Sequence, residues 1–116
     1  MTQDELSKLA KAWIAGEGQY CEAWEILCNL VLFRPEDAWF VIQEIASQEI
    51  PEHVTANLAA GPLEDLLVHH GQAFIDCIEN KAKSDPRFAH ILAGVWQNKI
   101  DVKVWRRIEQ VRSELW

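Results

Sequence analysis

Apolar residues recur at i, i+3, i+4 and i+7 in one segment after another of this chain, and no stretch keeps the strict alternation of a half-buried strand. Leu6, Leu9, Ala10, Trp13 and Ile14 make the first stripe. Thr2 followed three residues later by Glu5 predicts a capping box ahead of it, and Gly16 predicts a left-handed stop behind it. The second stripe runs through Tyr20, Ala23, Trp24, Leu27, Cys28 and Val31. Pro35 then ends one helix near Phe33 and opens another, at a position where a missing backbone N–H costs nothing. That third helix carries Ala38, Val41, Ile42 and Ile45, widened by Trp39 and Phe40. Glu36 and Asp37 lie in its first turn, where the helix dipole favours anions.

Pro51 predicts a short fourth helix with Val54 and Leu58 on its apolar side. Gly61-Pro62 is expected to end it and to start a fifth, carrying Leu63, Leu66 and Leu67 and stopping at Gly71. Phe74, Ile75, Ile78 and Ala82 form the next stripe. Asp85-Pro86 reads as an N-cap and first-turn proline opening a segment in which Phe88, Ile91, Leu92, Val95 and Trp96 share a face. Asp101 caps the last helix, whose Val104, Trp105, Ile108 and Val111 point inward. Lys103, Arg106, Arg107 and Arg112 supply its cations, with Arg112 near the C-terminal end that the dipole favours.

The connections are short, so neighbouring helices are expected to run antiparallel. The prediction is one all-α domain over residues 1–116, of about seven or eight short antiparallel helices, in a compact bundle or a short HEAT-like stack of helix pairs. The stack is suggested by an echo at an offset of 51 residues, where Arg34-Pro35-Glu36-Asp37-Ala38-Trp39 parallels Asp85-Pro86-Arg87-Phe88-Ala89-His90.

Composition narrows the class. Hydrophobic residues at 49% and charged residues at 25% are those of a folded globular chain, and no run approaches the roughly 20 apolar residues of a membrane span. Met1-Thr2-Gln3-Asp4-Glu5 lacks the basic and apolar start of a secretory leader, so a cytoplasmic location is expected. Cys21, Cys28 and Cys77 are odd in number and form no CxxC pair, which predicts free, mostly buried thiols. The net charge of −7 arises in the first half: residues 1–58 hold ten Asp or Glu against Lys8, Lys11 and Arg34, whereas residues 59–116 hold eight of each sign. Such a surface repels phosphates and suits a protein partner with a basic face, so neither nucleic acid nor membrane is expected as a partner.

Two sets of residues are candidates for function. Glu22, Glu25, Glu36, Asp37 and Glu44 are the acidic residues placed to meet a basic partner, and Trp116 is a candidate anchor for another protein. Glu64, Asp65, His69 and His70 form the alternative. Asp65 and His69 are four apart, so on a helix a carboxylate faces an imidazole, as general acid/base chemistry or a metal requires, while Glu64 points about 100° away from Asp65. Helix-end capping accounts for the same four residues without chemistry. No third metal ligand is suitably spaced, and there is no phosphate loop, GxSxG or Cys/His dyad, so no cofactor and no metal is expected. The six tryptophans are expected chiefly in the interior.

Pro35-Glu36-Asp37-Ala38-Trp39, the stretch from Leu58 to Leu67 and Asp85-Pro86-Arg87-Phe88 with Gly94-Val95-Trp96 together resemble short bacterial proteins of an uncharacterised family, catalogued only as a domain of unknown function. The resemblance covers most of the chain and implies no activity. The expected function is a non-enzymatic protein-binding module, plausible as an inhibitor or immunity-type partner of another bacterial protein. The alternative is a metal-dependent or acid/base hydrolytic site around Asp65, His69 and His70.

Overall fold

Thr2 opens the first helix as its capping residues require: its hydroxyl accepts from the Glu5 amide at 3.2 Å while the Glu5 carboxylate accepts from the Thr2 amide at 2.9 Å. These bonds hold the Glu5 carboxyl below its usual range. The computed structural model describes residues 1–19 and 21–114. Tyr20, expected on the second stripe, and Trp116, expected as an anchor, lie outside them. The described residues contain α1 (Gln3–Ala15), α2 (Glu22–Phe33), α3 (Pro35–Ala46), α4 (Glu52–Leu58), a π turn (Ala59–Leu63), α5 (Glu64–Ser84), α6 (Pro86–Leu92) and α7 (Val102–Val111), and no strand. Because α4 passes through the π turn into α5 without a break, there are six separate rods, slightly fewer than the sequence predicts.

Proline and glycine account for the differences. Gly61-Pro62 does not divide two helices. The ring of Pro62 cannot donate to the ladder and crowds the carbonyl four residues back, and widening the turn relieves both faults: the Glu64 amide reaches the Ala59 carbonyl, five residues earlier. Gly71 does not stop α5 either. It is buried where α7 crosses, and a Cβ there would lie 3.2 Å from a methyl of Val104. The axis bends one residue earlier, at His70 (φ −136°, ψ 25°). Gly16 is not left-handed (φ −84°); that role passes to Glu17 and Gly18, with φ of 58° and 69°. Gly16 instead makes room for the Cys21 sulfur, 2.9 Å from where its Cβ would be.

α3 and α5 form the centre. α1 and α2 pack on α3, α6 and α7 pack on α5, and α4 rests on α6. Leu27, Ile42, Ile45, Leu58, Leu63, Leu66, Ile78, Phe88, Leu92 and Ile108 are wholly buried between them. Trp39 of α3 ties three elements together, meeting Phe88 edge-on at 5.7 Å and Phe74 at 6.4 Å. On the outside, Arg107 of α7 grips α5 through Glu79 at 3.0 and 3.1 Å and Asp76 at 2.6 Å. The guanidinium holds the Glu79 carboxyl below its usual range. Extents of 33 × 28 × 24 Å describe a globule, the compact form of the two expected arrangements. Among the described residues no helix is long and apolar enough to cross a membrane. The three thiols are free, as expected, but Cys77 is exposed and Cys21 and Cys28 are only half-buried, because their stripes lie at the edge of the core.

Candidate functional site

The segment 57–71 places its four candidates in different surroundings. Glu64, in the first turn of α5, turns towards the loop after α6, accepting from the Asn98 side chain at 3.0 Å and from the Trp96 amide at 3.4 Å. Asp65, half-buried, faces α2. Burial, then Glu64, pushes its carboxyl above the usual range while His69 opposes the shift. Asp65 in turn adds to the burial that raises the Cys28 thiol, with Glu25 contributing last. Glu64, Asp65, Val68, His69, Asn98 and Lys99 line a cleft of about 580 Å³. His70 lies at the bend of α5 with its ring centroid 6.4 Å from that of His69, and its buried Nε2 has no hydrogen-bond partner among the described residues. Nowhere among the described residues do three His, Cys, Asp or Glu side chains converge as a metal would require.

The acidic candidates divide in two. Glu22, Glu25 and Glu36 are exposed. Glu44 accepts from the Ser7 hydroxyl at 3.0 Å, joining α3 to α1, and Asp37 lies 3.6 Å from the Met1 amino group. The first three face solvent at the two ends of α2, and the other two serve the packing of α1.

A feature hidden from the stripe pattern lies between α4, the loop after α6 and α7. Helix α6 ends at Leu92, so Trp96 falls in the loop and not on the predicted inward face; it is 72% exposed. Beside it is a cavity of about 490 Å³. Ala56, Ala60, Ala93 and Gly94 form its floor, where small side chains leave backbone close to the surface. Trp96, Gln97, Trp105 and Arg112 form its walls. Arg112, the residue that ends α7, folds over Trp105 of that helix, with its guanidinium 5.1 Å above the indole. The Ser113 amide donates to the Ala89 carbonyl at 3.1 Å, fastening the end of α7 to α6 and holding Arg112 in place.

Sequence reasoning missed this groove because its residues come from three separate segments. The only local signal was Ala93-Gly94, small residues that end a helix before Trp96 is reached. Residues 15–115 match the model of a family described as a family of unknown function, DUF6869. No curated protein and no solved structure matches the chain.

Proposed function

We propose that this chain, which belongs to the DUF6869 family, is a non-enzymatic protein-binding module that receives an apolar segment of its partner beside Trp96. The observation that carries this reading is a tryptophan left 72% exposed on the rim of an alanine-and-glycine-floored groove. A tryptophan buries about 200 Å² at most, so covering this one yields roughly 3 kcal/mol before the costs of association. Interface hot spots are enriched in this residue for that reason. Glu22, Glu25 and Glu36 supply a long-range field that speeds the approach of a basic partner, as an inhibitor or immunity-type protein needs.

The test is affinity capture at low and high salt with the native chain and with Trp96→Ala. A partner held at low salt, weakened by salt and lost with Trp96→Ala while the helical circular dichroism is kept supports the reading. Finding no partner at low salt, or one that Trp96→Ala retains, refutes it.

One observation favours a second reading, acid/base hydrolysis. Burial raises the Asp65 carboxyl above its usual range, and Asp65 shares its cleft with His69 and Lys99, groups that can exchange protons with a substrate. It predicts turnover of activated esters that falls with Asp65→Asn. Absent turnover, or turnover that Asp65→Asn leaves unchanged, ends it.

A further inference from the structure

Arginine forks in this protein come in two conditions, and the contrast points to what the groove takes. Arg107 makes three hydrogen bonds through Nε and Nη2 to the carboxylates of Asp76 and Glu79 on α5. Arg112 differs. Its side chain is only 17% exposed, yet among the described residues its one ion pair is to Glu109 at 3.7 Å, beyond hydrogen-bond reach. Among the described residues none of its five N–H donors makes a side-chain hydrogen bond. A largely desolvated guanidinium without acceptors is costly, and the planar fork matches a carboxylate with two parallel bonds.

Stacking on Trp105 and the Ser113 anchor have already fixed the side chain, so little rotamer entropy is lost when an acceptor arrives. The other groove walls are apolar apart from Gln97. Resting on the groove reading above, we infer that the occupant is an apolar peptide side chain adjoining a carboxylate, with the apolar part beside Trp96 and the carboxylate on Arg112. The carboxylate is the free C-terminus of a partner chain, a group that an apolar or basic segment carries without any Asp or Glu of its own. A net charge of −7 repels acidic proteins at long range, so the carboxylate has to arrive within a segment that is otherwise apolar or basic.

Three probes test this by following the indole N–H resonances of Trp96 and Trp105 in a titration: acetyl-Ala-Leu-Phe as the free acid, the same peptide as the amide, and acetyl-Ala-Phe-Asp-Ala amide. The free acid is expected to bind at least about tenfold more tightly than the amide, the worth of one good charge-assisted hydrogen bond. Arg112→Gln should bring the acid down to the level of the amide, with Arg112→Lys in between because it keeps the charge and loses the fork. Trp96→Ala should weaken acid and amide alike. The Asp peptide binding like the amide supports the chain terminus, and its binding like the acid overturns the terminus in favour of a side chain. Acid and amide binding equally, with both lost in Trp96→Ala, would overturn the carboxylate and leave the groove. No shift of either resonance by any probe overturns both. Thermal melts of the Arg112 variants within a few degrees of the native chain show that the fold is kept.

Discussion

Replacing Gly18 with alanine attacks a place where backbone conformation and core packing are both tight. Gly18 has φ +69°, and an added Cβ would lie 2.5 and 2.7 Å from the Cη2 and Cζ2 atoms of Trp13 and 3.0 Å from the Cβ of Asn57. Trp13 is fully buried and cannot swing aside, and the Asn57 side chain is held by a 2.9 Å bond to the Glu17 carbonyl. The left-handed backbone costs a non-glycine residue about 1 kcal/mol, and overpacking of this kind costs about 1–3 kcal/mol more. The expected loss is about 2–4 kcal/mol, a large part of the stability of a domain of this size. Urea unfolding followed by far-UV circular dichroism should show the midpoint falling by roughly 1 M or more at unchanged slope. A second measurement separates the two contributions. Trp13→Phe removes the colliding ring edge and gives up no hydrogen bond, because Trp13 Nε1 is buried without a partner among the described residues. In that background Gly18→Ala should cost less, about 1 kcal/mol for the backbone together with the remaining close approach to Asn57. A cost below about 0.5 kcal/mol in the native chain, or an equal cost in both backgrounds, would refute the reasoning.

Three further outcomes follow from the geometry. Asp65 binds its proton more tightly folded than unfolded, so its burial penalty is absent in acid and grows as pH rises from the ordinary carboxylate value through the raised one. Asp65→Asn should therefore raise the melting temperature at about pH 7 and give no gain at about pH 3, whereas a gain independent of pH would contradict this. Gly61 has open space where a Cβ would go, but Pro62 follows it, and a proline ring crowds the Cβ of a helical residue before it. Gly61→Ala should thus destabilise the native chain yet stabilise a Pro62→Ala background by about 0.4–1 kcal/mol, and equal effects in the two backgrounds would show that the ring is not the reason for the glycine. Glu64→Gln weakens the charge-assisted hold on Trp96 and Asn98, so it should lower affinity in the groove more than it lowers the melting temperature; the opposite order would remove Glu64 from the groove's support.

Local signals were read well where one residue and its near neighbours decide the outcome. Thr2 and Asp85 cap their helices, Asp101 accepts from the Lys103 amide at 2.8 Å, and Pro35 and Pro86 begin theirs. Glycine was read poorly because its missing side chain serves two purposes that look identical in a sequence. It permits a positive φ, as at Gly18, and it permits close approach of another element, as at Gly16 and Gly71. Only the position of Cys21 or Val104 tells which is in use. Trp96 fails for a related reason: a stripe read past the true end of α6 assigns an inward direction to a residue that no longer lies on the helix.

Glu64 links the part of the candidate chemistry that the sequence revealed to the part it concealed. By spacing alone it is a first-turn carboxylate, and that placement is correct. Its hydrogen bonds, however, run to residues 32 and 34 positions away, and they tether the loop in which Asn98 takes a left-handed φ of 41°. The loop carries Trp96, so the same carboxylate that borders the Asp65 and His69 cleft also sets the rim of the groove beside Trp105 and Arg112. The charge of Glu64 also helps to raise the Asp65 carboxyl. The groove proposal therefore predicts that a ligand which moves Trp96 against Glu64 alters the Asp65 titration, and by linkage that Asp65 protonation alters groove affinity to the same extent; an affinity unchanged across that titration would refute the coupling.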